Sequence, residues 1–106
     1  MKVIIRERGS QAVIAEGEKN QDLQEFEGNL YFKPEAVQLD KLRITERTYT
    51  CPYKGTCFWI DLETEHGRAQ NIGWVYRTPK PGYEFIRDQI GFYRSTSGTI
   101  AEEVTA

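Results

Sequence analysis

Thr48-Tyr49-Thr50-Cys51-Pro52-Tyr53-Lys54-Gly55-Thr56-Cys57-Phe58-Trp59-Ile60-Asp61-Leu62 sets a turn signal, Pro52 to Gly55, between two strand-like runs. After Gly55 the alternation is regular: Phe58, Ile60 and Leu62 point one way, while Cys57, Trp59 and Asp61 point the other. One of these faces must be core, and the first is expected to be it. The stretch also holds both cysteines and one of the two tryptophans, so a thiol, an amine and aromatic rings meet where a sheet turns back.

Outward from this hairpin the same period of two recurs. Downstream, Glu63 to Arg68 is a polar loop with His66, the chain's only histidine, at its tip, and Ala69 to Arg77 returns as a strand with Ile72, Trp74 and Tyr76 expected on one face. Pro79 and Pro81 interrupt the sheet. A short helical stretch over Tyr83–Asp88 and a strand over Ile90–Arg94 follow. Upstream, Val3-Ile4-Ile5 and Ala12–Ala15 read as an opening hairpin around Gly9-Ser10. The acidic run Glu16–Glu27 reads as a solvated loop or short exposed helix, Lys33-Pro34-Glu35-Ala36 as a turn, and Arg43–Tyr49 as a half-buried strand leading into the central motif. Six or seven short strands with little helix make the fold mainly β. The expected organisation is one β-rich domain over residues 1–98, with 99–106 a loose polar tail.

At 106 residues the chain is long enough for one domain and one core. Hydrophobic residues at 39% and six Tyr, five Phe and two Trp supply the apolar material of an ordered fold. A formal net charge of -2, evenly spread, offers no field for a polyanion, so nucleic acid is not an expected partner. Met-Lys-Val-Ile-Ile-Arg falls far short of a secretory or spanning core. Two cysteines without such a segment point to a reducing compartment, and the expected location is cytoplasmic, with no membrane partner.

Zinc chemistry needs about four ligands in paired patterns, and Cys51, Cys57 and His66 are the whole supply of thiol and imidazole; no metal or other cofactor is expected. Asp61 and Glu63 alternate onto one face as the polar side of a hairpin. Pro52-Tyr53-Lys54-Gly55-Thr56 lacks the glycine order of a phosphate loop. Two constellations remain. Cys51 is a candidate nucleophile because Lys54, across the proline turn, lowers a thiol pKa by proximity; the competing reading is a small buried hydrophobe beside a solvated lysine. The rings of Tyr53, Trp59, Trp74, Tyr76, Phe92 and Tyr93 fall on three strands and one turn, where they either sandwich a planar or cationic ligand or form core.

At these residues the chain resembles the domain-of-unknown-function family numbered 427, which also carries a nucleotidyltransferase-type label. The resemblance is most specific at Cys51-Pro52-Tyr53-Lys54-Gly55-Thr56, at Gly73-Trp74-Val75-Tyr76 with Pro79, and at Gly91-Phe92-Tyr93. Asn29-Leu30-Tyr31-Phe32 with Pro34-Glu35, and Val13-Ile14-Ala15-Glu16, resemble two further segments of it. The resemblance implies a compact fold similar to the β-tent group, two small antiparallel sheets meeting at an angle, whose better-known members include methionine sulfoxide reductases and the drug-binding domain of cereblon. The chain lacks the zinc cysteines of that group. Cys57 stands where the family usually has alanine, which argues against an essential Cys51/Cys57 pair. Ala36 stands where it often has an acid. No Gly-Ser helix start precedes paired aspartates, so the residues give the nucleotidyltransferase label no support.

The resulting expectation is a noncatalytic binding module whose pocket, lined by Tyr53, Lys54, Trp59, Trp74, Tyr76 and Tyr93, holds a small planar or anionic molecule or a peptide, in a monomer or weak homodimer. The alternatives are a thiol enzyme using Cys51 with Lys54, and a protein-interaction domain.

Overall fold

Val3-Ile4-Ile5 lies in β1 (Lys2–Glu7), where β-branched residues suit an extended, packed backbone. In the computed structural model, which describes residues 1–105, β1 is the middle of a three-stranded antiparallel sheet between β2 (Val13–Glu18) and β9 (Thr99–Val104). The expected loose tail is therefore corrected: Thr99 to Val104 pair with Glu7 to Lys2 along the whole of β1. Two things hold this polar segment as a strand. Thr99 is fully buried, and the acids of β9 are answered by cations elsewhere: Glu102 by Arg6 at 3.5 Å, Glu103 by Arg94 at 3.0 Å.

The second sheet has six strands in the order β3 (Leu23–Phe26), β4 (Asn29–Phe32), β8 (Ile90–Phe92), β7 (Gly67–Val75), β6 (Gly55–Thr64), β5 (Leu42–Cys51). All ladders between these strands are antiparallel, and the helical content of the described residues is three short 3-10 turns, one of them Glu84–Ile86 inside the predicted helical stretch. The fold is mainly β. Among the described residues no helix is long and apolar enough to cross a membrane.

An aliphatic core lies between the sheets. Val3 and Ile5 of β1 and Ile14 of β2 meet Leu30, Phe32, Ile60, Leu62, Val75 and Phe92, with Phe32 and Phe92 edge to face at 5.6 Å. Phe58, Ile60 and Leu62 do face this core, as the alternation predicts. Their neighbours are covered as well: Cys57 and Asp61 are buried and Trp59 is half-buried, so β6 is packed on both sides.

Two bulges set the geometry of the far side. Ile44 faces Ile60 and Thr48 faces Phe58, so β5 spends extra residues against β6. Ile60 faces Gly73 and Leu62 faces Ala69, so β7 does the same. Both bulges converge on Asp61. Its Oδ1 accepts from Arg47 Nη2 at 2.5 Å and from the Asn71 backbone N–H at 3.0 Å, with Asn71 in the left-handed region at φ 56°. The bulge also separates Ile72 from Trp74 and Tyr76: Ile72 enters the aliphatic core, while the two rings turn to the opposite face. The single face expected for these three residues is thereby corrected.

Candidate functional site

On that opposite face Tyr31, Cys57, Trp74, Tyr76 and Ile86 form a second, aromatic cluster, with Phe26, Trp59 and Tyr83 packed against it. Tyr31 reaches it because its neighbours Leu30 and Phe32 point into the aliphatic core. Trp74 is the centre of the rings. Its centroid lies 5.8 Å from Tyr31, 6.3 Å from Trp59 and 4.7 Å from Tyr93, all edge to face, the arrangement ring quadrupoles prefer.

Position 91 explains how an indole fits in the middle of a sheet. Trp74 faces Gly91 across the β7–β8 ladder, and a Cβ at residue 91 would stand 2.5 Å from the Trp74 ring. Only glycine leaves that space. The indole Nε1–H then donates to the Tyr31 hydroxyl at 3.1 Å, which fixes its orientation.

These rings do not close the space between them. A cavity of about 410 Å³ opens among them, within the range of small-molecule sites. Lys54, Trp59, Trp74, Tyr76 and Tyr93 line it, so five of the six residues expected to bind ligand lie around one hollow. Tyr53 does not: it projects from the tip of the proline turn and is 73% exposed. Phe92 also departs, into the aliphatic core.

Four lining residues escaped the sequence reading: Asn29, Tyr31, Tyr49 and Cys57. The signal for Tyr31 was present in the alternation of Leu30-Tyr31-Phe32. For Tyr49 it was the register that sets it opposite Cys57 across the β5–β6 hairpin, beside Trp59 at 6.2 Å.

Lys54 arrives from the turn between β5 and β6. The loop after β7 holds that turn in place, since the Lys80 N–H donates to the Lys54 carbonyl at 2.9 Å and Lys80 Nζ to the Pro52 carbonyl at 2.9 Å. Gly55 completes the reversal at φ 106°. Lys54 Nζ is paired with the carboxylate of Glu27, on the tight β3–β4 turn, and stands 5.8 Å from the Phe26 ring. Burial alone would lower the Lys54 pKa, but the Glu27 hydrogen bond and charge raise it overall, so Lys54 is a fixed cation.

The two thiols have different surroundings. Burial pushes Cys51 up, yet the backbone N–H groups of Lys54 and Tyr53 and the Lys54 charge bring its pKa below the ordinary thiol value. Cys51 is buried beneath the turn and does not line the cavity. Cys57 lines the cavity, and there burial holds its pKa above the ordinary value despite a hydrogen bond from Tyr76. Burial likewise keeps Tyr31 and Tyr76 protonated. The low-pKa thiol and the cavity are thus not brought together.

At the other end of β6, Asp61 is fully buried and its Oδ2 has no hydrogen-bond partner among the described residues; Arg68 Nε is 3.9 Å away, engaged instead with Glu63. Asp61 and Glu63 do not form a paired site, since Glu63 is drawn outward to Arg68 at 2.6 Å. Among the described residues no three His, Cys, Asp or Glu side chains are grouped as metal ligands.

No curated protein matches the chain. The sequence over residues 2–103, nearly the whole chain, does match the family described as a domain of unknown function (DUF427), and the matched range includes the proline-lysine turn and the Trp74 strand. The chain belongs to that family.

Proposed function

We propose that the protein is a noncatalytic binding module whose aromatic hollow holds a small planar molecule, or a planar side chain of a peptide. One observation carries the reading: side chains from the turns and strands of the six-stranded sheet surround a single cavity of about 410 Å³, while the activated thiol lies outside it. Flat rings on several sides and one ammonium suit a flat ligand with an acceptor or negative group. Two buried, unpaired thiols support a cytoplasmic setting. The two antiparallel sheets support placing the fold in the β-tent group.

A thermal-shift screen of planar small molecules tests this, because a ligand bound only by the folded state raises the melting temperature by mass action. Stabilising compounds should lose their effect in Trp59→Ala, where a half-buried wall is removed. Stabilisation that persists in Trp59→Ala and Tyr93→Ala places the ligand elsewhere.

A second reading rests on the Cys51 sulfur, which accepts from two backbone N–H groups beside Lys54. As a thiol enzyme the protein would alkylate with iodoacetamide at Cys51 below pH 8.5, the free-thiol range. An unreactive Cys51 in the folded protein ends that reading.

A further inference from the structure

The rim of the hollow carries an ion pair whose two ends are unequal. Lys54 is the one charged side chain among the described residues lining the cavity, and its side chain is 16% exposed. Its partner Glu27 stands on the β3–β4 turn outside the lining and is 51% exposed. Separating the two therefore costs the ends differently. The carboxylate of Glu27 regains water, whereas the ammonium of Lys54, between rings, needs another anion.

Glu27 is also an unusual residue for its place. The turn has Glu27 at φ 53° and Gly28 at φ 79°, positions that Asn, Asp and Gly fill most readily. A glutamate there is held in a backbone conformation that strains an L side chain, and its side chain is what reaches Lys54.

The hydrogen-bond inventory inside the hollow points the same way. The Tyr31 hydroxyl accepts the Trp74 indole proton, which leaves its own proton to donate. Lys54 offers donors only, and no carboxylate of the described residues lines the cavity. A cation entering would meet the ammonium at low dielectric. A neutral ring would fill the space and leave Lys54 on Glu27.

From this we infer that the ligand is a planar monoanion, its rings between the aromatic walls and its carboxylate on Lys54 and Tyr31, and that Glu27 is the resident counter-ion it displaces. The inference rests on the binding reading above and adds the ligand's charge and the residue that selects it. Glu27 acts through Lys54 and sets how strongly an anion must compete to enter.

Calorimetric titration of the full chain with indole-3-carboxylate, indole-3-carboxamide and phenyltrimethylammonium separates the possibilities. The carboxylate should bind the wild type at least about fivefold more tightly than the amide, the size of a part-exposed ion pair. Glu27→Gln should tighten the carboxylate by about fivefold and leave the amide unchanged. Glu27→Asn, which suits the left-handed turn better, should do the same and guards against a folding defect in the first variant. Lys54→Met should abolish the preference. Binding of the amide or the cation with equal or greater affinity overturns the inference and leaves the pocket standing, as does a carboxylate affinity that both Glu27 variants leave unchanged. Failure of all three probes to bind overturns the pocket and the inference together.

Discussion

The two faces of β6 are made by alternate residues of one strand and reach opposite outcomes. Phe58, Ile60 and Leu62 enter a core that branched aliphatic side chains close. Cys57 and Trp59, one position along, enter a face where the rings around Trp74 meet edge to face at 4.7 to 6.3 Å and leave a hollow. Branched chains interdigitate to native density, whereas stiff planes propped against one another do not fold into the gap between them. The props are specific. Trp74 is seated over Gly91 and tethered to Tyr31, so it cannot tip inward to fill the space.

The contrast breaks most severely from the aliphatic side. Ile60, on β6 between its ladder neighbours β5 and β7, is fully buried in the core, and Ile60→Ala should cost about 3–4 kcal/mol in urea unfolding through lost transfer energy and a cavity. A loss under 1 kcal/mol would mean the core is not the sealed face. Next comes Asp61, on the other face of the same strand. Asp61→Ala should cost about 2–3 kcal/mol, because Arg47 and the Asn71 N–H lose the acceptor that ties the two bulges. Arg47 is half in water, which keeps the figure below that of a fully buried pair.

Gly91→Ala sharpens the comparison. The new methyl collides with the Trp74 ring, so the cost should be about 2 kcal/mol together with a change in tryptophan fluorescence and near-UV circular dichroism. The same fluorescence as wild type would show that the indole is not seated against residue 91.

The smallest expected effect lies at the edge of the aliphatic side, where Glu7 of β1 accepts from Ser10 and Thr64, each at 2.6 Å, and so links the two sheets. The Ser10 bond first, and then the Thr64 bond, lower its pKa from the ordinary 4.5. A depressed carboxyl stabilises the fold at pH above 4.5 and loses that contribution as pH falls through the folded value. Glu7→Gln should be about 1 kcal/mol less stable at neutral pH, with the gap narrowing below pH 4.5. A gap constant down to pH 2 would contradict this.

Much of the fold was legible wherever one local pattern decides it. Alternation after Gly55, the proline-lysine turn and the His66 hairpin tip needed only neighbours a few residues apart. What escaped depends on distant partners. The bulge that parts Ile72 from Trp74 exists because Asp61, on another strand, captures the Asn71 N–H. The strand Thr99–Val104 resembles a polar tail until Arg6, Arg94 and the open edge of β1 are supplied. The site was legible in part for the same reason: Lys54, Trp59 and Trp74 lie on the central motif and its partner strand, while Asn29 and Tyr31 join only through the β4–β8 and β8–β7 ladders. Tyr53 misled because a turn that presents Lys54 inward turns its neighbour out.

The most direct test is a two-dimensional NMR titration with a compound that raises the melting temperature, following indole N–H and methyl resonances together. The Trp59 indole and the tyrosines around the cavity should shift in proportion to occupancy while the methyls of Ile5, Ile60 and Leu62 stay in place. Shifts confined to Tyr53 and the outer edge of β5, with the indoles unmoved, would contradict the claim that the aromatic face encloses a binding site.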